Sequence, residues 1–184
     1  MGIQAPSIVL HLILAATTAV LTLLGALMAA EPGPRSAEVA GPLLAGLLAA
    51  MVLIAIRWPR IALGVSVIAV VSYHVAGFPA IGLAWPLVIV LYLAGVAGAA
   101  VLGGCIMAVL LIGSVIWRLY AEHDPLLSVA DGMAREAGLV AIAVLLGEVV
   151  HRRAAWRREI TRRFVDQQRQ RDREIHHEAT QLRL

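Results

Sequence analysis

The chain has 184 residues, 60% of them hydrophobic, with a mean hydropathy of +0.85 and a formal net charge of +3. Soluble domains hold about 45–50% apolar residues, so this composition excludes an ordinary water-soluble domain and points to the membrane class. The single cysteine, Cys105, excludes an internal disulfide and a cysteine-built zinc site.

The first predicted element is an apolar run over residues 7–30, closed by Glu31-Pro32-Gly33-Pro34. No positive residue precedes the run, and it is longer than a signal-peptide core. It therefore reads as a retained membrane crossing. Five further apolar segments follow at 39–56, 61–77, 80–97, 102–117 and 134–150. No Asp, Glu, Lys or Arg stands between Ile61 and Trp117. One crossing takes roughly 20 apolar residues, so that stretch is long enough for more than one.

Turn chemistry separates the segments. Arg57-Trp58-Pro59-Arg60 divides the second from the third, and Gly77-Phe78-Pro79 the third from the fourth. A Gly-rich stretch from Gly98 to Gly104 divides the fourth from the fifth. His123-Asp124-Pro125 opens a longer, partly polar loop. The expected fold is all-α: a polytopic transmembrane bundle of about six crossings over residues 1–150. A cytosolic helix or coiled coil follows over 151–184. A five-crossing arrangement, with 95–104 at mid-membrane, stays open.

Arginine placement sets the orientation. All 15 basic residues are Arg. Residues 151–184 carry ten Arg against five acids, and the rest of the chain carries five Arg against seven. The positive-inside rule then places both termini in the cytoplasm. Arg152, Arg153, Arg157 and Arg158 stand at the membrane exit, where they can contact anionic lipid. Trp58, Trp117 and Trp156 fall at expected membrane edges.

The tail lacks Gly and Pro and is rich in Arg, Gln and Glu, so it reads as one helix. Trp156, Ile160 and Phe164, then Ile175, Ala179 and Leu182, recur at spacings of four and three. This suggests a coiled-coil seam and a homodimer. A solvated or membrane-skirting basic helix is the competing reading.

Ionisable groups inside lipid are costly, which singles out His74 with its neighbour Tyr73, and Glu148. His74 can titrate near neutral pH or serve as a hydrogen-bonded interface residue. Glu148 can reach Arg152 at i,i+4 or take a sensing role. The acids around His123 match no metal-ligand spacing, so no metal is expected. No phosphate-binding loop or nucleophile elbow is present. The tail contains acids and no reader fold, so nucleic acid is not an expected partner.

The order of these motifs resembles the N-terminal membrane region of bacterial sensor histidine kinases coupled to NarL-like response regulators. Three features carry the resemblance: Arg57-Trp58-Pro59, Gly77-Phe78-Pro79, and Leu146-Gly147-Glu148-Val149-Val150-His151-Arg152-Arg153 before a charged helix. It covers roughly residues 40–184. It implies a membrane sensor that feeds a dimeric helix, then a phosphotransfer box and an ATP/Mg-binding kinase domain. No ATP-binding domain is recognisable in this chain, so no cofactor is expected within it. The chain then reads as part of a larger kinase, with the response regulator reached only through those further domains. Thr180-Gln181-Leu182-Arg183-Leu184 resembles the lead-in to the phosphotransfer box. In a rival register Arg173-Glu174-Ile175-His176-His177-Glu178 is the box, which makes His176 the phosphoacceptor. One departure is the 98–104 turn, which often holds arginines in the family and holds none here. Outside the resemblance, two other classes fit: a small transporter or channel with Pro86 mid-helix, and a scaffold recruiting a soluble partner through the basic helix.

Overall fold

The computed structural model describes residues 5–28, 37–78, 81–122 and 125–181. Among them every regular element is helical. The order is α1 (Ala5–Met28), α2 (Ala37–Ile54), α3 (Pro59–Val75), a 3-10 turn (Trp85–Leu87), α4 (Val88–Val96), α5 (Ala100–Trp117), a π turn (Arg118–Glu122) and α6 (Leu126–Gln181). The chain forms two units, Met1–Glu148 and Val149–Leu184.

The helix ends follow from local chemistry. α3 starts on Pro59, whose missing N–H and fixed φ suit the first helical position. It ends in a Schellman turn. Gly77 takes φ 77°, and its N–H donates to His74 O at 3.0 Å. Phe78 N–H donates to Tyr73 O at 3.4 Å, and the two rings stack with centroids 5.0 Å apart. That apolar contact commonly accompanies the motif. The α4 end repeats it: Gly98 takes φ 81°, and Ala99 N–H reaches Ala94 O at 2.8 Å.

Three segments differ from the sequence expectation. The fourth apolar run is helical only from Trp85, and Pro86 lies in the 3-10 turn at the helix start, not mid-helix. Residues 81–84 are non-helical backbone, with Gly82 at φ 75°. The sixth helix begins at Leu126, inside the stretch expected as loop. An i,i+4 ion pair between Arg135 and Asp131 supports that first part. The 98–104 stretch is turn only around Ala97–Ala99; Gly103 and Gly104 are inside α5. His123 and Asp124 lie outside the described residues.

The first unit's core is built from α1 through α5, with Leu48, Val52, Leu63, Val70, Leu87, Leu91 and Met107 fully buried. α6 adds Val129, Val140 and Ala143. Large apolar side chains also cover the outside: Leu27 is 72% exposed and Val109 69%. Helices apolar on both faces belong in a medium other than water. Two of them, within Val9–Leu27 and Ala100–Tyr120, are long and apolar enough to cross a membrane.

Candidate functional site

One stripe of α6 faces the bundle and carries a single carboxylate. Val129, Met133, Glu136, Val140, Ala143 and Gly147 recur at spacings of four and three, which puts them on one helix face. Two residues of this stripe grip other elements.

The first is Glu136. Its Oε1 accepts a hydrogen bond from Leu83 N–H at 3.3 Å. The non-helical 81–84 backbone has no helical partner for that amide, and the carboxylate supplies one. A methyl group on Gly82 would stand 3.1 Å from the same oxygen, and the positive φ also disfavours any side chain there. Glu136 Oε2 is buried with no hydrogen-bond partner. The same segment packs on α1: a methyl on Gly25 would meet Ile81 and Trp85 at 3.7–3.8 Å. Close by in sequence, Arg118 Nη1 lies 3.0 Å from where a side chain on Gly132 would begin. The C-terminal ends of α1, α3 and α5 therefore collect at the end of the unit where α6 starts.

The second is Gly147. A methyl group on it would lie 2.5 Å from Tyr92 O and 2.8 Å from Gly95 Cα. From the other side, a methyl on Gly95 would lie 3.0 Å from Gly147 Cα. α4 and α6 cross here with backbone against backbone. Small residues permit this contact, and interhelix packing in lipid depends on such closeness.

The sequence-singled residues distribute as follows. Tyr73 is buried against Phe78, and its ring meets His74 edge-on at 5.9 Å. Its hydroxyl is buried with no hydrogen-bond partner, as are those of Thr22 and Ser66. His74 Nδ1–H donates to Val70 O at 2.9 Å, a bond within its own helix. That satisfies one ring nitrogen locally. Glu148 is half-buried next to the α4–α6 crossing. His74 belongs to the opposite end, at the α3 C-terminus, so the structure does not bring the two together. In the second unit Arg152, Arg153 and Arg157 are exposed, and with Trp156 and Ile160 they line a shallow recess. The side chains of Arg158 and His176 lie outside the described residues.

Glu136 and Gly147 were not singled out by sequence. In sequence Glu136 is one of two acids near Arg135, and the ion pair forms with the other, Asp131. A glycine inside a helix costs about 1 kcal/mol relative to alanine, so Gly147 carried a signal for close packing. Among the described residues no group of three or more His, Cys, Asp or Glu could hold a metal ion. No protein-family model, no curated protein and no solved structure matches the chain.

Proposed function

We propose that the chain is the membrane signal-input module of a two-component sensor histidine kinase. In this reading the apolar helices cross the bacterial plasma membrane six times, with both termini cytoplasmic. A stimulus in or at the membrane shifts their packing between two arrangements, and α6 passes the shift to a dimeric tail helix. The observation that carries the reading is the span of α6. One helix, Leu126–Gln181, holds both bundle grips, Glu136 and Gly147, and the arginine-rich stretch beyond Val150. A two-state input needs such an element, biased by the stimulus and read downstream. The ordered motifs around Arg57-Trp58-Pro59, Gly77-Phe78-Pro79 and Gly147 to Arg153 support the family assignment. Juxtamembrane Arg152, Arg153, Arg157 and Arg158 hold the helix exit at the anionic leaflet, at about 1 kcal/mol each.

The test is a reporter assay in cells with the four arginines changed to Gln. The chain is joined in frame to the phosphotransfer and kinase domains read downstream of codon 184. Uncoupling of reporter output from stimulus is the expected result; an unchanged response rejects the coupling role. A stop codon in place of those domains favours the scaffold reading.

A further inference from the structure

We propose that Glu136 is a proton-binding site, and that the proton it takes up loosens the grip of α6 on the 81–84 backbone. The inference deepens the membrane-input reading above, on which its consequence rests: the stimulus is acidity on the outer side of the membrane, where α6 starts in that reading.

The two oxygens of Glu136 are placed unequally. Oε1 accepts the Leu83 N–H at 3.3 Å, while Oε2 is buried with no hydrogen-bond partner. A carboxylate offers about four acceptor sites. An ionised carboxylate out of water is costly unless it is paired, and a bound proton removes the charge. The other ionisable groups at this end of the unit are few. Arg118 of the π turn reaches Gly132, one helical turn before Glu136. Asp131 and Arg135 pair with each other, and Tyr120 is exposed. Tyr73 and His74 end α3, where His74 Nδ1–H donates to Val70 O. Neither the 81–84 segment nor the last two turns of α1 carry an ionisable side chain. Glu136 is therefore the titratable group in contact with the 81–84 backbone.

A proton on Glu136 weakens that contact. A carboxylate accepts a charge-assisted hydrogen bond, about twice as strong as one accepted by a neutral carboxyl group. The Leu83 amide lies in non-helical backbone and has no helical carbonyl to turn to. Gly82, at φ 75°, brings the chain so close that a methyl on it would stand 3.1 Å from Oε1. The second grip of α6 is of another kind. At Gly147 it is backbone against backbone and involves no ionisable side chain. The two grips lie about 16 Å apart along the helix axis. A proton thus acts on one and leaves the other, and α6 is released at its start while held at the Gly95–Gly147 crossing.

The experiment places the whole chain in nanodiscs and follows amide exchange at Leu83 as the pH is lowered. Each rate is divided by that of an unstructured amide at the same pH. The expected result is a one-proton transition over which Leu83 protection falls about tenfold, the difference between a charged and a neutral acceptor. Gly103, whose N–H donates to Ala99 O within the bundle, is the control and keeps its protection. Glu136→Gln is expected to hold Leu83 at the low protection at every pH. Leu83 protection that ignores pH, or that falls alike in Glu136→Gln, overturns the proposal. A second measurement needs no variant. The carboxyl carbon of one isotope-labelled glutamate is expected to titrate with the same midpoint as Leu83 protection in the native chain; no matching glutamate overturns the proposal. In the reporter chain described above, output is expected to follow the outer pH and to stay at its acid level in Glu136→Gln. A flat output beside an intact Leu83 titration rejects the sensor reading and upholds the proton site.

Discussion

Between Gly95 on α4 and Gly147 on α6 there is no room for a single methyl group. The two Cα atoms and the carbonyl of Tyr92 fill the crossing. Changing Gly147 to Ala must therefore push α6 off α4. Overpacking of this kind costs about 1–3 kcal/mol, more than the roughly 1 kcal/mol that alanine gains over glycine in a helix. Gly104 on α5 has open space around it, so Gly104→Ala is neutral or slightly stabilising. Thermal unfolding in detergent should separate the two variants clearly. Equal midpoints would show that the crossing yields to a methyl group without cost.

Glu136 holds the amide of Leu83, and amide hydrogen exchange reads that bond directly. Glu136→Ala removes the acceptor and should speed exchange at Leu83 by about tenfold to a hundredfold, the equivalent of roughly 1.5–3 kcal/mol. Glu136→Gln keeps a side-chain oxygen and should speed it less. Gly82→Ala should act in the same direction as Glu136→Ala, since it crowds Oε1 and strains the backbone. Exchange at Leu83 that ignores all three changes would show that another group shields the amide.

Tyr73 stacks on Phe78 through its ring, while its hydroxyl is buried and unbonded. Tyr73→Phe keeps the stack and removes the orphan group. It should raise stability by about 1 kcal/mol, as expected when a buried unsatisfied polar atom is deleted. Phe78→Ala should lower it by removing the ring contact that closes the α3 turn. A destabilised Tyr73→Phe protein would mean that the hydroxyl has a partner in the membrane.

Cys105 is exposed on α5, within the apolar stretch Ala100–Tyr120. In water an exposed thiol reacts readily, but a charged reagent does not enter lipid to reach it. A charged maleimide should leave Cys105 unmodified in sealed vesicles of either orientation and label it after denaturation in detergent. Rapid labelling in intact vesicles would place this face of α5 in water.

Much of the helical order was legible because apolar runs ended at Pro and Gly. Pro59 and Gly77 bound α3, and Gly98 separates α4 from α5, each for a backbone reason that composition exposes. The start of α4 was not legible. Ile81, Leu83 and Ala84 are as apolar as the helix that follows, and hydropathy cannot distinguish irregular backbone packed in the bundle from helix. Gly82 alone hinted at it. The beginning of α6 was hidden for the opposite reason. Asp131, Gly132 and Arg135 look like loop residues until an ion pair across one turn is formed. Glu136 does not stand out in the sequence, where it is one of two acids near Arg135 and the arginine pairs with the other. Its amide partner at Leu83 is distant in sequence and appears only in the fold. That Arg152, Arg153 and Arg157 share a face with Trp156 and Ile160 emerges only once the helix is formed.

The shortness of α4 has a physical consequence. With its 3-10 turn it reaches about 20 Å, well under the roughly 30 Å of a hydrocarbon slab. Leu87, Val90 and Leu91 are enclosed by neighbours, so in a bilayer few acyl chains meet this deficit and little elastic deformation arises from it. The remaining depth is filled by peptide groups of residues 81–84, for which lipid offers no donors or acceptors. A carboxylate on α6 does for one of those amides what water does at an ordinary loop, so the length of one helix makes the solvation of its neighbour's backbone a property of a third.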